Sequence, residues 1–172
     1  FVGRLVALKQ LDLLLRAWAR LPPMRRQLVL VGDGPERSSL QKLARNLQLD
    51  DVRFEGSQSD VLRYLQAADI FVLPSKLEGL SMSLIEAAAV GLPLLASDIP
   101  ANTKIVKSGI NGLVFESEAL DPLSAALNRL LTSPRLRQSL GAAGRRLAER
   151  SYALNAVART HAALYRQVLL KP

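Results

Sequence analysis

Cysteine is absent from this 172-residue sequence, and histidine occurs once, at His161. The first absence excludes disulfides, thiolate nucleophiles and Cys-ligated zinc; the second excludes a His-rich metal site. Aromatic residues are scarce, at 5%, too few to interleave with basic residues as base-stacking platforms. No apolar run approaches the roughly 18 residues that span a bilayer. The opening FVGRLVALKQ lacks the long apolar stretch and small-residue cleavage site of a secretory signal. A cytoplasmic location is the expectation. Phe1 stands where an initiator methionine would, and FVGRL reads as the end of a buried strand, so the sequence is expected to be cut from a larger protein.

What is present suits a packed domain: 49% apolar and 22% charged residues, close to the soluble average. The net charge of +8 is unevenly placed, since residues 1–123 hold 14 basic and 14 acidic residues and residues 124–172 hold 9 basic residues and one acid, Glu149. Many of the tail's bases lie away from an apolar helical stripe, as on a solvated face, and nucleic acid is not an expected partner. An anionic membrane surface or an anionic acceptor is the functional alternative to a plain solvated face.

Short apolar runs alternate with longer amphipathic ones, the pattern of βα units building a parallel sheet. FVG ends a strand; 11–21 is an amphipathic helix closed by Pro22 and Pro23; 27–32, 52–56, 69–74, 93–97 and 112–115 read as further strands. Helices follow over SSLQKLARNL, 59–67, 84–90 and 102–108, and from about Asp121 the chain is helical. The expected fold is therefore a doubly wound, Rossmann-like α/β domain of about six strands with helices on both faces. It spans 1–172, with 121–172 as its helical tail. Ligands on such sheets sit at the carboxyl ends of the strands.

Three segments there can carry chemistry. Arg4 and Lys9 flank the turn after the first strand, where they read either as an anion-binding fork and point charge or as two solvated loop cations. The run GDGP at 32–35 has Arg37 where a dinucleotide fingerprint needs its third glycine, which leaves a tight turn and disfavours a nicotinamide-dependent oxidoreductase. PSKLEGLSMSLIE at 74–86 runs from a strand into a helix, with Ser81 or Ser83 as N-cap and Gly79 allowing close backbone approach. A helix start seats phosphate or a sugar hydroxyl. Glu78 lies ahead of it, and Glu86 lies one turn inside a helix so apolar that a solvent face for it is hard to find. A bound diol would supply such a carboxylate with partners. His161 reads as a packing or surface residue, Trp18 as core, and no Asp spacing suits a metal.

Taken together, VGRL…K at 2–9, VGDGP at 31–35, V-x-F-x-G at 52–56, AADIFVLPS at 67–75, EGLSMSLIEAAAVGLPLLASD at 78–98 and SGINGLVF at 108–115 resemble the C-terminal, donor-binding domain of retaining glycosyltransferases of family 4. These are the group 1 enzymes of two-domain GT-B architecture. The resemblance implies that Gly3, Arg4 and Lys9 bind the diphosphate of a nucleotide-sugar such as a UDP- or GDP-sugar. The backbone of Gly79, Leu80, Ser81 and Met82 would meet phosphate and hexose, Glu78 the hexose hydroxyls, Glu86 the ribose, and the main chain near Arg53 the base. It implies a hexosyl transfer that needs no metal or other cofactor, with Glu78, Arg4 and Lys9 at the reacting centre. The acceptor would sit on an N-terminal domain of the same enzyme. The basic tail is compatible with a lipid-linked acceptor at the cytoplasmic membrane face. Two departures stand out: Gln10 where the family has glycine, and Thr103-Lys104 where it commonly has glutamate. A nucleotide-sugar epimerase half and a non-catalytic nucleotide-binding or interaction module are the alternatives.

Overall fold

The computed structural model describes residues 1–169. Two parallel sheets carry the strands. β1 (Leu28–Val31) pairs with β2 (Val52–Gly56), and β3 (Phe71–Leu73), β4 (Leu94–Ser97) and β5 (Gly112–Phe115) pair in that order. β3 and β4 are buried along their whole length, as expected of strands covered on both faces.

The expected count of six strands becomes five. The opening segment is not among the paired strands: Val2 makes a lone parallel bridge to Val31, with Gly3 N donating to the Val31 carbonyl at 3.0 Å and Val31 N to the Phe1 carbonyl at 2.9 Å. It still runs along the free edge of β1. A cleft of about 670 Å³, lined in part by Phe1, Val29, Phe71 and Val72, opens between that edge and β3.

Helices flank the sheets. In α1 (Leu11–Ala19) the positions Leu11, Leu14, Leu15 and Trp18 are buried while Asp12 and Arg16 face solvent, the stripe that its periodicity predicts. Each fully buried leucine contributes about 1.5–3 kcal/mol. α1 packs on α6 (Leu120–Thr132), where Arg20 also pairs with Asp121. α2 (Arg37–Asn46), α3 (Leu62–Ala67), α4 (Met82–Ala89) and α5 (Pro100–Ile105) connect the strands. α7 (Pro134–Ser151) lies against α4. The tail thus holds three helices, of which α8 (Leu154–Leu169) buries only Ala156 and exposes Leu154, Leu164, Tyr165 and Val168. Residues 170–172, the last of the expected tail, lie outside the described residues. No helix among the described residues is long and apolar enough to cross a membrane.

Candidate functional site

The glycine turn after β1 is a support for the segment carrying Arg4 and Lys9. A Cβ on Gly32 would lie 1.9 Å from the Gly3 carbonyl oxygen, and one on Gly34 would lie 2.3 Å from that of Leu5. Neither position has room for a side chain, so the opening segment lies directly on the turn. Leu5 N donates to the Asp33 carbonyl at 2.9 Å and Glu36 N to the Leu5 carbonyl at 3.1 Å. The Asp33 carboxylate accepts from Gly34 N at 2.7 Å and from Arg37 at 2.8 Å. Those bonds, the amide first, hold its pKa below 3.8. Arg37, which breaks the dinucleotide fingerprint, thereby fastens the turn.

Beyond this support the chain turns through a short 3₁₀ segment, Ala7–Lys9, into α1. Lys76 N donates to the Leu8 carbonyl at 2.9 Å, which brings the loop after β3 against the loop carrying Lys9. Lys9 Nζ donates to Glu78 Oε1, both side chains being largely buried at 18% and 10% exposure. Two residues 69 apart in sequence, each expected at the site, are thus in contact. The pair stands just before the N-terminus of α4, where Ser81 Oγ caps Leu84 N at 3.3 Å. Of the two serines expected as cap, Ser81 serves, and Ser83 lies 3.2 Å from it, hydroxyl to hydroxyl. Leu80 and Met82 are exposed, and the space around Gly79 is open to 4 Å. Arg4 is exposed on the same opening segment, beside Gly3. The result is a cation, an ion pair and a helix start at the carboxyl ends of the strands, where anions and hydroxyls are most readily held.

Two expected residues stand differently. Glu86 is exposed rather than buried among apolar residues: Ala87 and Ala88 are buried, while α4 presents Met82, Glu86 and Ala89 on one outward stripe. Its reading as a diol partner therefore rests on place alone. Arg53 sits near the start of β2, opposite Val29, and lines the cleft between the sheets, away from Lys9 and Glu78. His161 is exposed on α8, and Trp18 is buried under the Arg26 guanidinium, 4.7 Å from the ring centroid.

Gln10 adopts left-handed backbone, a region that favours glycine, at φ 49° and ψ 43°, as the residue before α1. Its Nε2 donates at 3.1 Å to Glu118, itself left-handed at φ 64°. Thr103 bonds back to the Ile99 carbonyl, and Lys104 is exposed. Three residues not anticipated from the sequence lie beneath the site: Ser75, Ser97 and Asn102, all fully buried. The available signal was a serine closing each of two otherwise apolar strand runs, DIFVLPS and PLLAS. Among the described residues no cluster of three or more His, Asp or Glu side chains is placed to hold a metal.

Residues 1–147 match the family described as Glycosyl transferases group 1. The chain is 32% identical to an alpha-D-kanosaminyltransferase of Streptomyces kanamyceticus, over 98% of this chain and 45% of that protein. It is 33% identical to a D-inositol 3-phosphate glycosyltransferase of Thermobifida fusca, over 84% and 36%. Among solved structures it is similar to sucrose-phosphate synthase from Thermosynechococcus elongatus (TM-score 0.88, 31% identity, 98% of this chain and 44% of that one). It is similar in fold to Anabaena Alr3699/HepE in complex with UDP (TM-score 0.90, 21% identity, 96% and 47%). The chain spans less than half the length of these relatives. Its fold is the Rossmann-like α/β arrangement of GT-B glycosyltransferases, and the chain belongs to the group 1 glycosyl transferase family.

Proposed function

We propose, from membership of that family, that this chain is the donor-binding half of a retaining, family 4 hexosyltransferase. The observation that carries the reading is the Lys9–Glu78 pair set against the start of α4. A nucleotide-diphospho-sugar lies across it. Gly3, Arg4 and Lys9 meet the diphosphate, the backbone from Gly79 to Met82 meets phosphate and hexose, Glu78 accepts from hexose hydroxyls, and Glu86 accepts from the ribose. The base lies against main chain; Arg53 itself stands apart from this group. Breaking the anomeric C–O bond leaves its electron pair on the departing diphosphate. Arg4, Lys9 and the positive end of α4 stabilise that charge as it develops, and the step needs no metal. Lys9 is already held by a carboxylate that has its own part in the site, so sugar hydroxyls reaching Glu78 free the ammonium to turn toward phosphate.

The acceptor is held by an N-terminal domain, and transfer belongs to the two halves together. The names of the relatives, a kanosaminyltransferase and an inositol-phosphate glycosyltransferase, and the UDP held by the Anabaena neighbour fit this reading. The excess positive charge of residues 124–172 suits a lipid-linked acceptor at the cytoplasmic membrane face, and it predicts vesicle binding by the full-length protein that salt abolishes.

The test is a thermal-shift and calorimetric panel of UDP, GDP, ADP and their sugars. A ligand at 100 times its Kd stabilises by about 2.7 kcal/mol. One nucleotide series is expected to bind, with Arg4→Ala and Glu86→Ala each weakening it by about tenfold or more, or about 1.4 kcal/mol. Undiminished binding by both variants would overturn the site. The anomeric configuration of the product made by the full-length protein decides between retention and inversion.

A further inference from the structure

Ser75, Ser97 and Asn102 close the carboxyl ends of β3 and β4 and the first turns of α5, and none of the three is exposed to solvent. They are bonded in series. Asn102 Nδ2 donates to Ser97 Oγ at 3.0 Å and also to the Ser97 carbonyl at 3.3 Å. Ser97 Oγ, its lone pair thus engaged, donates its hydrogen to the Ser75 carbonyl. The Ser75 carbonyl and the Lys76 N–H belong to one peptide unit, and that N–H donates to the Leu8 carbonyl at 2.9 Å. A single peptide plane is therefore gripped at both ends, by the buried relay on one side and by the loop that carries Lys9 on the other.

The position of this plane matters. Leu8 immediately precedes Lys9, and Lys76 is two residues before Glu78. The next fixed point along the chain is the Ser81 cap, and a Cβ on Gly79 between them would meet nothing within 4 Å. The clamped peptide is what sets the separation of the two loops from which Lys9 and Glu78 reach each other. Dry hydrogen bonds in series polarise one another, so the serine hydroxyl holds the carbonyl more firmly than an isolated one would. The cluster is also not the arrangement that best serves stability alone, because Ser75 Oγ and Asn102 Oδ1 are buried without partners. Such groups normally cost free energy that apolar residues of the same shape would not.

We infer that Asn102, Ser97 and Ser75 form a buried positioning relay that fixes the Ser75–Lys76 peptide and, through it, the geometry of the Lys9–Glu78 pair at the diphosphate and sugar end of the site. The binding consequence rests on the donor-site reading above; the structural one does not. The relay leads to the loops of Lys9 and Glu78 and has no bond to the outward stripe of α4 that bears Glu86. Losing it weakens contacts to diphosphate and sugar while leaving those to ribose and base.

The experiment uses the full-length protein with Ser97→Ala and the hydroxyl-retaining Ser97→Thr. Amide hydrogen exchange is read at Lys76, in the cores of β4 and α4, and in both variants. The expected result is that Lys76 exchanges about tenfold faster in Ser97→Ala, with the β4 and α4 core amides unchanged and with protection regained in Ser97→Thr. In the nucleotide series that binds, Ser97→Ala is expected to raise the Kd of the diphosphate and the nucleotide-sugar about tenfold and to leave that of the monophosphate unchanged. Equal weakening of monophosphate and diphosphate, or unchanged exchange at Lys76, overturns the proposal. If no nucleotide binds, the donor-site reading fails and the exchange arm still decides the relay. If the variants do not fold, exchange in the unaltered protein decides: protection of Lys76 at the level of β3 supports the relay, and exchange as fast as at Leu77 overturns it.

Discussion

Gln10 and Glu118 adopt left-handed backbone, at φ 49° and φ 64°, and they hold each other by a side-chain bond of 3.1 Å across 108 residues of sequence. An L-residue in that region costs roughly 1 kcal/mol or more, which a glycine at position 10 would not incur. A side-chain hydrogen bond returns about 0.5–1.5 kcal/mol, and the buried, unpartnered Gln10 Oε1 works against it. These contributions nearly cancel. Gln10→Gly is therefore expected to change stability by less than about 1 kcal/mol, while Gln10→Val, β-branched at a positive φ, is expected to lose about 2 kcal/mol or more. Denaturant midpoints of the two variants check this, and a large loss in Gln10→Gly would mean that the bond to Glu118 outweighs the backbone term. The sequence showed that a glycine was missing after Lys9, yet the partner that makes its absence tolerable lies too far along the chain for any local pattern to reveal. The solvent face of Glu86 is hidden in the sequence for the opposite reason. The composition of LIEAAAVGLP is apolar throughout, and only the helical positions of Met82, Glu86 and Ala89 tell that they form the outward face of α4.

At the scale of elements, two glycines three residues apart in α7 face different fates. A Cβ at Gly141 would lie 2.0 Å from the Gly91 carbonyl oxygen, a backbone atom unable to swing aside, whereas at Gly144 the nearest atoms stand at 3.7 Å, ordinary contact. Alanine gains about 1 kcal/mol of helix propensity at either place. Gly144→Ala is accordingly expected to stabilise by about 0.5–1 kcal/mol. Gly141→Ala is expected to destabilise by about 2 kcal/mol net, because α7 must lift from the turn that closes α4. Urea titrations of the two variants separate the signs, and equal effects would overturn the close packing of α7 on Gly91. The helices were legible from apolar stripes of period 3.6, as in Leu11, Leu14, Leu15 and Trp18, and the strands from unbroken runs such as LVLV and LLAS. What was not legible is how many strands pair. FVG reads as the end of a strand and lies beside β1, but Val2 makes a single bridge there, so this first expected strand is absent from the sheets.

On the scale of the whole molecule, the support beneath the site is tied to pH, because the opening segment that leads through Arg4 to Lys9 lies on the turn of Gly32 and Gly34, and Asp33 fastens that turn by accepting from Gly34 N and Arg37. The bonds from Gly34 N and Arg37 hold the Asp33 carboxyl below its ordinary 3.8, so at low pH the unfolded state binds more protons and stability rises with pH, the contribution being lost as the pH falls through the folded value. Asp33→Asn removes the titrating group and should flatten the acid limb of the stability profile below about pH 4. Guanidinium midpoints at half-unit steps measure the curves of both proteins, and an acid limb that survives the substitution would assign the dependence to another carboxyl.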